Sequence, residues 1–80
     1  MSELMPGYRT LRGSDVQRDG MYLELIEHQT GNAVAEVFYS DASGSMSISV
    51  FQPEIPLEAI ERLIERARHE LPPSDAISLV

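Results

Sequence analysis

The stretch that decides the fold runs from Ala33 to Gln52 and reads AVAEVFYS-DASG-SMSISVFQ. In its second half, MSISV, apolar residues alternate strictly with serines, and this period of two is typical of a β-strand with one buried face. The central DASG has Asp and Gly at its two ends, where a type I turn prefers them. The stretch therefore predicts a β-hairpin with strands at about 33–40 and 45–52.

The predicted turn also fixes the register of this hairpin. If Asp41–Gly44 form the loop, Ser40 faces Ser45 and the pairing continues outward from there. The cross-strand pairs are then Tyr39 with Met46, Val37 with Ile48, and Ala35 with Val50. Because directly opposed side chains lie on the same face of a sheet, these six define one face of the hairpin as the predicted core.

An earlier strand is predicted at about 20–28, where every other residue is apolar. The apolar residues at its odd positions are Met21, Leu23 and Leu25. Between the strands, Thr30–Asn32 contains residues that tolerate a positive φ. A one-residue change of loop length would turn the leucines away from the core, so we expect an odd loop length. A three-residue loop would place Leu25 opposite Val37.

The segment at about 55–71 predicts one amphipathic helix. Pro56 suits the first turn of a helix, and the pair Pro72-Pro73 ends it. Glutamates and arginines four residues apart occupy the opposite, solvent side, where they can form ion pairs. The apolar stripe that should face the sheet consists of Leu57, Ile60, Leu63, Ile64, Ala67 and Leu71.

These elements define the predicted fold class as α+β, in which three antiparallel strands form a meander and one C-terminal helix packs on one face. The β-β-β-α domain spans residues 19–72. Residues 1–18 have no sustained periodicity, so we expect an irregular or partly ordered segment, with Tyr8–Arg12 as an alternative short strand. Residues 73–80 form a C-terminal tail that contains apolar residues, and the sequence does not identify what they contact.

The composition limits the class of protein. The chain has 80 residues and no cysteine, which allows one small core and excludes a disulfide framework or a thiolate metal site. Its mean hydropathy of −0.16 is that of a globular protein. Its apolar runs are far shorter than the ~20 residues of a membrane span, and residues 1–11 lack the pattern of a signal peptide. We therefore expect a cytoplasmic protein with no membrane contact.

The formal net charge of −7 is unevenly distributed along the chain. From Asp19 to Glu61 every charged residue is acidic, and all six cations are arginines outside this stretch. A nucleic-acid-binding face needs cations that neutralise phosphates, so direct nucleic-acid binding by this sheet is not expected. Acidity of this kind is typical of a soluble protein in a bacterial cytoplasm. The alternative is that it recognises a basic protein partner.

The residues with catalytic side chains do not form a recognisable set. His28 and Glu24 would lie about 13 Å apart along one strand, which is too far for an acid–base pair. Glu24 and Glu36 fall on adjacent strands, but paired carboxylates need a cleft, for which a small sheet with one helix has little room. His69 is explained by the negative end of the predicted helix. We therefore expect no enzyme, no catalytic residue, no metal site and no cofactor.

The face of the predicted sheet that is turned away from the helix, here called the outer face, also carries apolar residues. They are Tyr22, Ile26, Val34, Phe38 and Phe51. A sheet covered on one side should be mainly polar on the other. Three explanations stay open: scattered surface residues, coverage by the N- or C-terminal segment of the same chain, or a protein interface, most simply a two-fold homodimer. The open edges of the sheet offer a related route to the same dimer.

Two functional hypotheses follow from these patterns. The first is a small interaction or accessory domain that forms a homodimer through the outer face, with the five residues above as its interface, or through an edge strand. The second is an acidic inhibitor of a basic partner, such as an immunity protein, an antitoxin or a nucleic-acid mimic, whose binding would depend strongly on salt. The fold layout alone carries no function.

Overall fold

The computed structural model describes residues 2–71 as one antiparallel sheet followed by one helix. The strands are β1 (Ser2–Met5), β2 (Tyr8–Asp15), β3 (Gly20–Glu27), β4 (Ala33–Ser40) and β5 (Met46–Val50), and the helix is α1 (Leu57–Glu70). The five strands lie in the sheet in chain order, so that each strand pairs with its neighbours in the sequence. β1 and β5 are therefore the two edges of the sheet.

The predicted fold class is confirmed, but the predicted number of strands is wrong. An antiparallel sheet with one C-terminal helix is present, and the sheet has five strands rather than three. The two additional strands, β1 and β2, lie in residues 1–18, for which the sequence favoured an irregular segment. The predicted C-terminal tail, residues 73–80, lies outside the described residues.

The alternative short strand at Tyr8–Arg12 is present as part of β2, which extends to Asp15. The sequence pattern of β2 is weak because its helix-facing residues are polar. Thr10 is buried, and its hydroxyl accepts a 3.0 Å hydrogen bond from the Arg66 guanidinium of α1. Arg12 in turn donates a 3.4 Å hydrogen bond to the carbonyl of Glu70. Hydrogen bonds from charged donors thus hold this strand to the helix. A strand held in this way has no alternation of apolar residues for a sequence pattern to detect.

The register predicted for the β4–β5 hairpin is confirmed. Tyr39 pairs with Met46, Val37 with Ile48, and Ala35 with Val50. The loop is closed by a 3.0 Å hydrogen bond from the Ser40 N–H to the Ser45 carbonyl, and the Gly44 N–H donates a 2.8 Å bond to the Ser40 carbonyl. Gly44 has a φ of 71°, which glycine adopts without the steric cost of a side chain.

The β3–β4 hairpin differs from the predicted register by two residues. Leu25 lies opposite Ala35 rather than opposite Val37, so the three-residue loop predicted for this hairpin is wrong. A 2.9 Å hydrogen bond from the Glu27 N–H to the Asn32 carbonyl closes the loop and leaves four residues between them. An even loop of this kind should by itself turn the apolar residues of β3 away from the core.

A β-bulge in β4 restores the predicted faces. The pairing shifts by one residue between Leu25 and Ile26, and Val34 is the additional residue on the β4 side. Leu23 and Leu25 consequently both point into the core and are fully buried. The sequence predicted an odd number of residues in the loop. The structure has a four-residue loop, and the one additional residue of the bulge gives the odd total.

Helix α1 begins and ends within the predicted range of 55–71, but it is rotated relative to the predicted stripe. Its buried residues are Ala59, Leu63 and Ala67, followed by Leu71 just after the helix. Leu57 and Ile64, which the stripe included, are 72% and 36% exposed. The helix packs on β1, β3 and β4, so its buried side is turned toward the β1 edge and away from these two residues.

The core lies between α1 and the inner face of the sheet, which is the face that the helix covers. It consists of Leu4, Leu23, Leu25, Val34, Ala35, Val37, Ala59, Leu63, Ala67 and Leu71. Leu4 brings the short strand β1 into this core. The N-terminal strands therefore share one sheet and one core with the meander that the sequence predicted.

The orientation of α1 predicts a large difference between two leucines. Leu63→Ala should lower the free energy of unfolding by about 2–5 kcal/mol, because Leu63 is fully buried and its truncation leaves a cavity. Leu57→Ala, the matched control in the same helix, should change it by less than about 0.5 kcal/mol in dilute solution. Urea unfolding followed by circular dichroism measures both values. Equal losses in the two variants would contradict this orientation of the helix.

Candidate functional site

The two aromatic rings in the middle of the outer face lie against glycines of neighbouring strands. Tyr22 is paired with Gly13 of β2, and a Cβ atom at Gly13 would overlap the Tyr22 ring. A Cβ atom at Gly20 would likewise overlap the ring of Phe38. Both rings are half-buried as a result. These aromatic residues therefore already have a structural role within the protomer, since they cover exposed backbone at glycine positions.

The five residues of the predicted interface do not form one open apolar surface in the protomer. Val34, on the bulge, is 1% exposed and belongs to the core, and Ile26 is also buried. Of the five, Phe51 is the most exposed, at 56%. β1 and β2 extend the sheet sideways and do not fold over its outer face. The interface through this face stays a prediction.

Arg18, from the turn between β2 and β3, reaches back over the outer face. Its guanidinium lies 4.2 Å from the centroid of the Phe38 ring. It donates hydrogen bonds of 3.0 and 2.9 Å to the two carboxylate oxygens of Glu36, which is buried. It also forms an ion pair with Asp15 at the end of β2. The acidic stretch is thus partly neutralised by an arginine that the sequence places outside it.

Two glutamates of the outer face face each other across β3 and β4. Glu24 and Glu36 are directly opposed in the register. Burial raises the pKa of Glu24, and the charge of Glu36 raises it further, whereas Arg18 acts in the other direction. Each of the two lies on a strand within the sheet. The pair is therefore better explained as part of the Arg18 ion-pair network.

The histidine considered for acid–base chemistry does not contact a glutamate of the sheet centre. Its Nε2 atom lies 3.8 Å from a carboxylate oxygen of Glu3 in β1, and the histidine and glutamate side chains are 38% and 65% exposed. The histidine of this contact is His28, directly after the end of β3. Within residues 2–71, no group of three or more His, Cys, Asp or Glu side chains could hold a metal ion. In the same range, no helix is long and apolar enough to cross a membrane.

The Arg18 network predicts a pH dependence of stability. The hydrogen bond from the Arg18 side chain lowers the pKa of Asp15 below its ordinary value. The resulting stabilisation is present above the unfolded-state pKa of about 3.9 and is lost as the pH falls through the lower folded-state pKa. The raised pKa of Glu24 has the opposite sign, because it favours the folded state at low pH.

Asp15→Asn should therefore flatten the loss of stability between about pH 5 and pH 2, relative to the natural chain. Urea unfolding at a series of pH values measures this. Asp41→Asn, an exposed side chain in the β4–β5 loop, is the matched control and should leave the pH profile unchanged. A profile that is the same for Asp15→Asn and the natural chain would show that the pair with Arg18 contributes nothing to folding.

An apolar groove lies between the helix and the last strand, and we call it the α1–β5 groove. It is lined by Val37, Gly44, Met46, Ser47, Ile48, Ile64, Ala67 and Arg68 and has a volume of about 360 Å³. The side chains of β5 that point toward the helix side are Met46, Ile48 and Val50, which are 36%, 42% and 54% exposed. These residues belong to the predicted core face, but the helix does not cover them.

The groove exists because one helix is narrower than a five-stranded sheet. Five strands at a spacing of about 4.8 Å span about 19 Å between the outermost strand axes. A helix with its side chains is about 10–12 Å wide. Since α1 packs on β1, β3 and β4, the inner face of β5 is left uncovered by residues 2–71. The uncovered surface is a continuation of the core rather than scattered surface residues.

The two edges of the sheet differ in their protection. β1 is only four residues long, and the Arg66 guanidinium donates hydrogen bonds of 2.6 Å to the Ser2 hydroxyl and 3.0 Å to the Glu3 carbonyl. β5 is exposed along its whole length and contains no charged residue and no proline. Short strands, charges and prolines are the usual devices that stop an edge from pairing with another chain. β5 has neither a charged residue nor a proline.

Sequence reasoning identified the inward residues of β5 but missed that they would be exposed. The signal was present in part, because the last strand of a meander is always an edge and MSISV has no charge to protect it. The exposure of the inward side chains could not be deduced from the sequence, because it depends on where α1 packs on the sheet. The exposed positions of Leu57 and Ile64 follow from that placement as well.

Comparison with known proteins gives no relative for this chain. It matches no protein-family model, no curated protein and no solved structure. Any functional assignment therefore depends on the geometry of the α1–β5 groove and of the β5 edge.

Proposed function

We propose that this protein is an interaction domain that forms a homodimer at the β5 edge of its sheet, with the α1–β5 groove as the apolar part of the interface. The observation that carries the proposal is β5 itself, an uncharged edge strand whose core-facing residues Met46, Ile48 and Val50 are exposed. A strand of this kind is an association site unless something covers it.

A second copy of the chain is the partner that best fits the size of the protein. A domain of 80 residues without disulfides has a core of marginal size. Two copies that contact each other through the same apolar patch would bury it on both sides at once, as in the two-fold interfaces of most homodimers. The exposed residues of β5 would then complete a core that one helix leaves unfinished.

The β5 edge is a better candidate than the outer face. On the outer face, Tyr22 and Phe38 cover glycines of their own sheet, and Arg18 lies over the Phe38 ring. An interface there would have to accommodate the charged ion pair between Arg18 and Glu36. An interface at β5 meets no such ion pair, and its apolar residues are already exposed.

The acidic-inhibitor hypothesis has less support. It requires an acidic surface for a basic partner, and the central carboxylate of the outer face, Glu36, is neutralised by Arg18. The net charge of −7 is explained by solubility. A basic partner that binds at low salt and is released at high salt would restore this hypothesis.

Ile48→Lys tests the proposed homodimer. Sedimentation equilibrium of the natural chain should give twice the protomer mass of 8.9 kDa, and the variant should sediment as a monomer. Burial of an unpaired ammonium group in an apolar interface should raise the dissociation constant by about 100-fold or more. Because Ile48 is 42% exposed in the protomer, the variant should keep its fold, which circular dichroism checks.

Ser49→Lys is the matched control for this experiment. Ser49 is the next residue of the same strand, it is exposed, and it points to the outer face opposite Glu36. A lysine there should leave the dimer intact. A natural chain that sediments as a monomer at high concentration would overturn the proposal, and loss of the dimer in Ser49→Lys alone would place the interface on the outer face instead.

A further inference from the structure

The side of α1 that borders the groove carries a lateral row of four residues. They are Leu57, Glu61, Ile64 and Arg68, at the spacing i, i+4, i+7 and i+11 that aligns side chains along a helix. All four are exposed, and Ile64 and Arg68 line the groove. Because helical residues are about 100° apart, this row lies about 100–160° around the axis from the buried Leu63. It faces obliquely away from the sheet on the β5 side.

The charges of the lateral row have no partner within the helix. Glu58 pairs with Arg62 at 2.8 Å, and Arg66 approaches Glu70 at 3.9 Å. Within residues 2–71, neither Glu61 nor Arg68 takes part in an ion pair. The two are seven residues apart, about 10 Å along the axis, and so do not pair with each other within one helix.

The charges of the lateral row in two copies of α1 attract each other only when the two helices are antiparallel. If two α1 helices lie side by side and antiparallel about a two-fold axis near Ile64, Glu61 of each faces the partner's Arg68, and the two Ile64 side chains meet on the axis. In a parallel arrangement Glu61 would face Glu61 and Arg68 would face Arg68, which is repulsive. The row therefore specifies both a second copy and its direction.

We infer that, in the proposed homodimer, α1 packs antiparallel against α1 of the partner along this lateral row, with reciprocal Glu61–Arg68 ion pairs on either side of Ile64. The inference rests on the proposed function and adds the partner surface that closes the groove. Contact through an oblique row at the usual distance of about 8–10 Å sets the two sheets at a steep angle. The uncovered inner faces of the two β5 strands then face one common apolar space beneath the paired helices.

This arrangement also explains how two chains of net charge −7 associate. The long-range repulsion between them is unfavourable. The lateral row opposes it locally, because each copy brings one base and one acid to the contact and the symmetry uses both twice. Leu57, the most exposed apolar residue of the helix, lies at the N-terminal end of the same row.

Charge reversal with rescue tests the inference. Glu61→Arg and Arg68→Glu should each raise the dissociation constant of the dimer at least about 10-fold, because by symmetry each change makes two attractive pairs repulsive. The double variant should return to within about 3-fold of the natural chain, since it restores opposite charges. Arg62→Glu, the same change as Arg68→Glu but about 120° further around the helix axis on the flank beside Leu4, is the matched control and should have little effect on the dissociation constant.

A cross-link gives a second, independent measurement. The chain has no cysteine, so Ile64→Cys introduces a single thiol. On mild oxidation it should form a disulfide-linked dimer, because residues on the two-fold axis come within the Cα separation of about 4–7 Å that a disulfide needs. Val16→Cys, 91% exposed in the β2–β3 turn, should cross-link much more slowly.

The outcomes separate the inference from the proposed function. A dimer that Ile48→Lys abolishes but the charge reversals leave unchanged would overturn the inference and indicate strand-to-strand pairing at β5, with the homodimer intact. A double variant that stays as weak as the single variants would also overturn it. A monomeric natural chain would overturn both. If that monomer lost stability in Ile48→Lys and in Leu79→Lys alike, residues 73–80 of the same chain would be the occupant of the groove.

Discussion

The structure depends on the constraint that one helix must cover an antiparallel sheet of five strands. The helix is too narrow for all five, so its position decides which strands are buried. Contacts at the β1 side fix that position. Leu4 joins the core there, and Arg66 binds Ser2, Thr10 and the Glu3 carbonyl. By covering the N-terminal strands, the helix leaves β5 uncovered, and the surface available for a partner is a consequence of this choice.

The outer face shows how apolar residues can be accounted for within the protomer. The bulge moves Val34 into the core, and the rings of Tyr22 and Phe38 cover backbone that Gly13 and Gly20 would otherwise expose. Arg18 then closes over Phe38 while it neutralises Glu36. The number of apolar residues on one face of a sheet is therefore weak evidence for a partner surface when glycines lie on the adjacent strands. The inner face of β5 differs, because residues 2–71 leave its apolar side chains 36–54% exposed.

What the sequence predicted correctly is what short-range chemistry decides. The DASG turn and the alternation of MSISV agree with each other, and the register of that hairpin was predicted pair by pair. The β3–β4 register was wrong because a bulge is a long-range compromise between an even loop and the burial of Leu23 and Leu25. β2 was predicted only as the alternative short strand Tyr8–Arg12, because Thr10 and Arg12 contact the helix through hydrogen bonds rather than through apolar packing. The exposure of Leu57 and Ile64 follows from the tertiary position of α1, which no local pattern encodes.

The difference between the two edges bears on the type of assembly. A contact that joined β5 of one copy to β1 of the next would be head-to-tail and would form an open filament unless its rotation closed a ring. Arg66 occupies the Glu3 carbonyl and the Ser2 hydroxyl, and β1 is short, so this edge is a poor acceptor. A two-fold association instead places β5 of both chains at the interface and leaves the protected β1 edges outside. The proposed dimer is therefore closed, and closure is what a chain with one uncharged edge strand needs in order to stay soluble.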